Sequence, residues 1–267
     1  MGLAIDTVLA EVTMATAAVS AAMTPATGDS FTVRSFAATD RGILEQLITK
    51  AAHTMTLNVK SPMFHDNVEG IQVISAQAPG VHDLPQDVGQ PLTPQDTLSV
   101  IGFGTASDVL VALMVNYYTN LLGASARLHN WGDLAGNIKS MKVLEVACTS
   151  NATAGQWEDT VITTTENLLH ANTDYAVLGY LTDVAVAAVG IKGQETGNLR
   201  ICGPATVLTQ DTTDYFIRQA LRSGRPHIPV FNSANAGSVY ASCCDSAAST
   251  AVKVQLMLAE MSQNLSS

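Results

Sequence analysis

The run Val100-Ile-Gly102-Phe-Gly104-Thr-Ala-Ser107 is the strongest candidate for chemistry in this chain. A strand entering a Gly-x-Gly turn can cradle a dinucleotide, because glycines let the backbone approach the pyrophosphate. Here Ser107 stands where the third glycine belongs. No acidic residue follows a second strand at the spacing of about twenty residues that ribose recognition needs. No alternation of strand and helix surrounds the run either. The glycines are therefore read as serving a tight turn, and no cofactor is expected.

The histidines are His53, His65, His82, His129, His170 and His227. His65-Asp66 and His82-Asp83 are adjacent pairs, which point to opposite sides of a strand and cannot form a dyad there. They carry no HxH or HExxH spacing, so no metal is expected. A Ser/His/Asp set assembled from distant residues stays open, but the chain has no Gly-x-Ser-x-Gly elbow. The cysteines Cys148, Cys202, Cys243 and Cys244 include no CxxC, and buried free thiols made in a reducing compartment are the natural reading. Gly193-Gln-Glu-Thr-Gly197-Asn198 reads as a hairpin loop whose single acid makes a poor calcium site. Asn151-Ala-Thr153 and Asn264-Leu-Ser266 match the glycosylation sequon, a pattern short enough to arise by chance. No catalytic, cofactor-binding or metal-binding residue is assigned.

Charge says more than any motif. Only 13% of the 267 residues are Asp, Glu, Lys or Arg, against about 25% in an ordinary soluble domain. Hydrophobic residues make up 47%, enough for a full core. The surface must then be built from Thr, Ser, Asn, Gln, Ala and Gly, which lose little when buried against a partner. The 13 basic and 23 acidic residues give a net charge of −10, and no basic run occurs. Direct nucleic-acid binding, which needs clustered Lys and Arg, is not expected.

The elements that carry these residues read mainly as strands. Gly2–Met23 is the exception: it is Ala-rich, with Ile5, Val8, Leu9, Val12, Val19 and Met23 near one helical face, which predicts an amphipathic helix. It lacks the basic region of a signal peptide and is too polar to span a membrane. Docked on a neighbour, it would matter more for assembly than for folding. A linker over 24–30 follows. Strands are expected over 31–36, 55–60, 70–75, 97–101 and 109–118, the last apolar on both faces and open to a helical reading. Further strands are expected over 141–148, 175–180, 184–191, 199–202, 228–231, 238–242 and 251–258. Helical segments are expected over 41–52, 163–171 and 213–223. Trp131 and Trp157 read as core or interface residues.

Three landmarks recur in order. Thr39-Asp40, Ile43 and Leu47 match Thr213-Asp214, Ile217 and Leu221 at the same offsets. Pro62-Met-Phe64 and Gly70 match Pro229-Val-Phe231 and Gly237. Each half closes with a Ser-led apolar run, 107–118 and 249–258. The pattern predicts a tandem duplication of a β-sandwich. The expected organisation is an N-terminal helix and linker over 1–30, a first sandwich over 31–127, a connector over 128–140, a second sandwich over 141–261 and a tail over 262–267.

On these residues the chain resembles the double jelly-roll major capsid proteins of tailless icosahedral viruses and phages. The likeness is architectural and covers about 31–261. It implies an all-β fold of two tandem jelly-roll sandwiches, homotrimeric capsomers and a place in the virion shell beside other shell proteins. It also implies an inward-facing N-terminal helix in contact with an internal membrane. Two other classes fit the same composition. One is another self-assembling β protein, such as a single-jelly-roll coat, an appendage subunit or a compartment shell. The other is a β-sandwich enzyme or carbohydrate-binding module, which the 5% aromatic content disfavours because such modules need an aromatic platform.

Overall fold

A computed structural model describes residues 2–14, 20–35, 37, 40–51, 53–61, 70–75, 80–84, 89–104, 108–121, 126–162, 168–205 and 211–265. The chain is mostly β and divides into two compact units. One is Asp6–Gly123 with the first two residues; the other is Ala124–Ser267 with Leu3–Ile5.

The first unit contains β1 (Ala4–Met14), β2 (Ser20–Ala22), β3 (Thr24–Pro25), β4 (Gly42–Lys50), β5 (Met55–Lys60), β6 (Ile71–Ser75), β7 (Gly80–Asp83), β8 (Gln90–Leu92), β9 (Ser99–Phe103) and β10 (Asp108–Tyr118). One sheet runs β3-β1-β10-β4-β7, with β8 also paired to β4; the other runs β2-β9-β5-β6. The second unit contains β11 (Leu128–His129), α1 (Trp131–Ala135), β12 (Ile138–Thr149), β13 (Trp157–Val161), β14 (Asp174–Thr182), β15 (Val186–Gly193), β16 (Ile201–Ala205), α2 (Tyr215–Ser223), β17 (Ile228–Asn232), β18 (Val239–Cys244) and β19 (Ala251–Met261). Its sheets run β11-β17-β14-β19-β12 and β13-β18-β15-β16.

The two units wind alike. Set aside the short β3, β8 and β11, and count the remaining eight strands of each unit from its first. One sheet then holds the first, eighth, third and sixth, and its mate holds the second, seventh, fourth and fifth, in both units. This correspondence bears out one of the three sequence landmarks and overturns another. The closing runs fall on β10 and β19, which are equivalent eighth strands. The first landmark sets β4 against α2, which are different elements. The second landmark rests partly on 62–69, outside the described residues.

The helix expected over Gly2–Met23 is absent: Ala4–Met14 is a strand lying between β3 and β10. Both faces of its first seven residues are buried, so its apolar residues fall at every spacing, the helical one included. Its β-branched Ile5, Thr7, Val8, Val12 and Thr13 suit a pleated strand. Asp6 is buried in this strand and tolerated there because Arg34 pairs with it. The inward-facing helix that the resemblance implied is therefore replaced by sheet, and the supposed linker supplies β3. The segment 41–52 is likewise β4 rather than helix, since it pairs with β10, β7 and β8. Among the described residues 31–35, Thr32 alone forms a bridge, to Thr97. Most of 163–171 lies outside the described residues, and 168–171 is not helical.

Other expectations hold. The 109–118 run is strand, central between β1 and β4, and buried from Leu110 to Tyr118. β15 is central too, between β18 and β16. Both strands are thus protected within their own sheets. The helix at 213–223 is α2, which starts after Asp214, carries the Asp214–Arg218 ion pair and stops at Gly224 in the left-handed region. Tyr180 ties the second sandwich together. Its hydroxyl donates to the Pro204 carbonyl of the opposite sheet at 2.9 Å, and its ring packs against Tyr215 and Phe216.

Candidate assembly surface

Three charge networks hold the second unit's strands and use up much of its sparse charge. Glu260 on β19 is 1% exposed and gathers Lys139 Nζ at 2.7 Å, Ser140 Oγ at 2.9 Å, His170 Nδ1 at 3.0 Å and Lys142 Nζ at 3.3 Å. The Lys139 hydrogen bond, opposed by burial and helped by the other three, holds the Glu260 carboxyl down at about 2. Asp174 on β14 accepts from Arg127 at 2.5 and 3.2 Å, from Asn232 Nδ2 at 2.8 Å and from the Leu265 N–H at 2.8 Å. Burial pushes its carboxyl up, but these donors outweigh it and leave it below the usual carboxylate range. Asp159 on β13 is held by Ser242 at 2.6 Å, Lys192 at 2.9 Å and Arg200 at 3.0 Å, and the Arg200 guanidinium lies 5.1 Å from the centre of the Trp157 ring.

The first network bears on a sheet edge. β12 is the terminal strand of its sheet, paired to β19 on one side from Ile138 to Thr149 with a register shift at Lys139. Among the described residues its other side carries no backbone hydrogen bond. Every other sheet-terminal strand described is five residues or shorter, whereas β12 has twelve. Short edges, and a proline such as Pro204 in β16, are ordinary ways to block strand addition. Lysines can do the same, yet both β12 lysines are drawn to Glu260. The odd-numbered residues from Lys139 to Thr149 face out, and Met141 is 58% and Val143 51% exposed. Across β19, Met257 lies opposite Val143.

The residues singled out for chemistry are scattered. Gly102 sits in β9 rather than in a turn, and a Cβ there would meet Val12 at 2.9 Å and Leu110 at 3.0 Å, so it is glycine because β1 and β10 pack against it. Ser107 and His65-Asp66 lie outside the described residues. His82 and Asp83 are neighbours on β7, where Asp83 accepts from Gln46 at 2.8 Å. His53 is exposed, and His129 lies on β11, its ring pushed below its ordinary value by burial and the Arg127 charge. His227 is buried, with Nδ1 at 3.0 Å from the Arg225 carbonyl and 3.1 Å from Ser223 Oγ. The 193–198 loop joins β15 to β16 as expected, and its Glu195 serves Arg127, Asn235 and the Asn232 N–H. None of the four cysteines is in a disulfide, and all are buried. Trp157 is buried as expected. Among the described residues, no group of three or more His, Cys, Asp or Glu is placed to hold a metal ion.

The residues missed from sequence are those of the edge: Lys139, Met141, Val143 and Glu145. Their alternation was readable, but Met141 and Val143 look like core until the pairing partners are known.

No family model matches this sequence, and no curated protein matches it. Among solved structures the chain is similar to the PBSX exported protein XepA, at 8% identity and a TM-score of 0.21, over 92% of this chain and 88% of that one. It is also similar to a chain in the atomic structure of Sulfolobus Turreted Icosahedral Virus, at 7% identity and a TM-score of 0.25, over 98% of this chain and 81% of that one. Scores this low carry no argument about function.

Proposed function

We propose that this chain is a double jelly-roll shell subunit, the major capsid protein of a tailless icosahedral virus or phage, which works by assembling as homotrimers rather than by catalysis. One observation carries the reading: an eight-stranded sandwich wound first-eighth-third-sixth over second-seventh-fourth-fifth is a jelly roll, and the chain winds it twice. Jelly rolls also serve lectins and cupins, so the winding by itself does not fix a function. Two further features favour assembly. Charged residues are only 13% of the chain, which makes surface burial cheap in desolvation. The long open edge of β12 offers strand pairing that a lone soluble monomer would ordinarily blunt.

Multi-angle light scattering and electron microscopy of the purified full chain test this. Trimers that build closed shells are the expected outcome. A stable, dilute monomer at physiological salt refutes the proposal.

A further inference from the structure

Among the described residues, β12 presents a row of backbone groups with no strand beside them. We infer that its partner is β12 of a second copy of this chain, antiparallel about a twofold axis, with Met141 opposite Val143 and Lys139 opposite Glu145. The inference rests on the self-assembly reading above and adds a specific contact to it.

The register follows from the outward residues. Side chains alternate along a strand, so an edge-to-edge pair must set outward residues opposite outward residues. Three such registers place the exposed apolar pair near the axis. If Met141 faces itself, Lys139 falls opposite Val143 and an ammonium lies over an apolar side chain. If Val143 faces itself, Met141 falls opposite Glu145 and a carboxylate does the same. Between them lies the register in which Met141 meets Val143 and, on each side, Lys139 meets Glu145. Only this one matches apolar with apolar and positive with negative, and the twofold makes each match twice. Lys139 and Glu145 keep enough exposure for this, at 59% and 47% of their side chains, while also bonding Glu260 and Lys253 in their own chain. Lys142 then faces its own copy, and each is paired with its own Glu260 at 3.3 Å.

The first unit shows the contrasting case. Its equivalent first strand, β1, has β3 on its outer side, where Ala10 pairs with Pro25 and Glu11 with Thr24. β12 has no such added strand among the described residues. A two-strand contact of this length is smaller than the ~1,200 Å² of total surface that a specific dimer ordinarily buries. It therefore works between chains that other contacts already hold, as a link between capsomers.

Cysteine pairing reads the register directly. Strands paired antiparallel set directly opposite Cα atoms about 4.5–5.5 Å apart, within reach of a disulfide. Diagonal neighbours lie about 7–8 Å apart, outside that reach. Met141→Cys and Val143→Cys chains are made separately, mixed while dissociated, allowed to assemble, and oxidised mildly. The four native thiols are buried and do not compete. The mixture should yield disulfide-linked dimers, up to roughly half of the pairs as random mixing in a twofold contact allows. Neither variant alone should do so, and an Ala147→Cys control should not. Dimers from Met141→Cys alone, or from Val143→Cys alone, overturn the register. Light scattering on the same samples separates the two proposals. Assembly without the mixed crosslink sinks the edge contact and leaves the shell reading standing. A chain that stays monomeric and uncrosslinked sinks both.

Discussion

Arg127→Met should cost the second unit about 2–4 kcal/mol, because it strips a buried carboxylate of its charge partner. Asp174 is 1% exposed and loses the bonds at 2.5 and 3.2 Å. Glu195 loses its bond at 3.3 Å, and the Leu265 carbonyl loses one at 3.1 Å. Breaking a buried pair costs about 3–5 kcal/mol when the remaining charge is uncompensated. Here the cost is lower, since Asp174 keeps Asn232 and the Leu265 N–H while Glu195 keeps Asn235 and the Asn232 N–H. Methionine keeps most of the aliphatic stem, so lost packing adds little. Both tryptophans, Trp131 and Trp157, lie in the second unit, so their fluorescence during urea unfolding reports this unit alone. With a denaturant slope of about 2 kcal/mol/M, the midpoint should fall by about 1–2 M. Adding Asp174→Asn should cost less on the Arg127→Met background than on the wild type, a coupling of about 0.5–3 kcal/mol. A midpoint within about 0.2 M of wild type, or strict additivity, would refute the claim that this network holds β14, β17 and the C-terminal segment together.

Acid should weaken the second unit through Glu260. Its folded carboxyl sits at about 2, below an unfolded value of about 4.3, so its contribution is complete above pH 5 and drains away as pH falls toward 2. Glu260→Gln should therefore destabilise at pH 7 and lose most of that deficit by pH 2; an equal deficit at both pH values in urea titrations would count against this. Deleting residues 2–14 should abolish cooperative folding of the first unit, because it removes a strand from between β3 and β10 along with buried Val8, Leu9 and Met14, each worth about 1.5–3 kcal/mol of burial. Amide exchange over β4, β5, β9 and β10 would show it, and retained protection there would restore the view that the segment serves assembly alone. The native chain should resist thiol reagents, since all four cysteines are buried and the Cys243 thiol is pushed up by Cys148 and burial; one thiol labelling at the rate of a free peptide would contradict this.

The strands read well from sequence are those whose chemistry is one-sided or unambiguously β. β5 and β6 alternate, while β10, β14, β15 and β19 are long and rich in Val, Ile, Leu and Tyr. The failures share a cause. β1 and β4 are buried on both faces for much of their length, so apolar residues recur at i+3 and i+4 as well as i+2, and period alone favours a helix. Only the partners β10 and β7, far along the chain, decide otherwise. β7, β8 and β13 are too short, or too polar, to announce themselves before their partners are in place. The likeness of the two units was legible in their closing strands and not in their middles, where short matches in Ala-rich sequence aligned a strand with a helix. The β12 edge was hidden for a related reason: which face of β12 Met141 lies on, and whether a strand pairs beside it, are properties of the sheet's packing and topology.

One long terminal strand among the described residues, β12, also sets a valence for pairing through it. A subunit with two such edges could add partners on both sides without limit, and strand pairing would then propagate into a ribbon or fibre. Among the described residues β12 is the long terminal strand, while β1 carries β3 at Ala10 and Glu11, so strand addition through β12 takes one partner. Pairing through that edge terminates at two copies, so it can join capsomers without competing with closure of the shell.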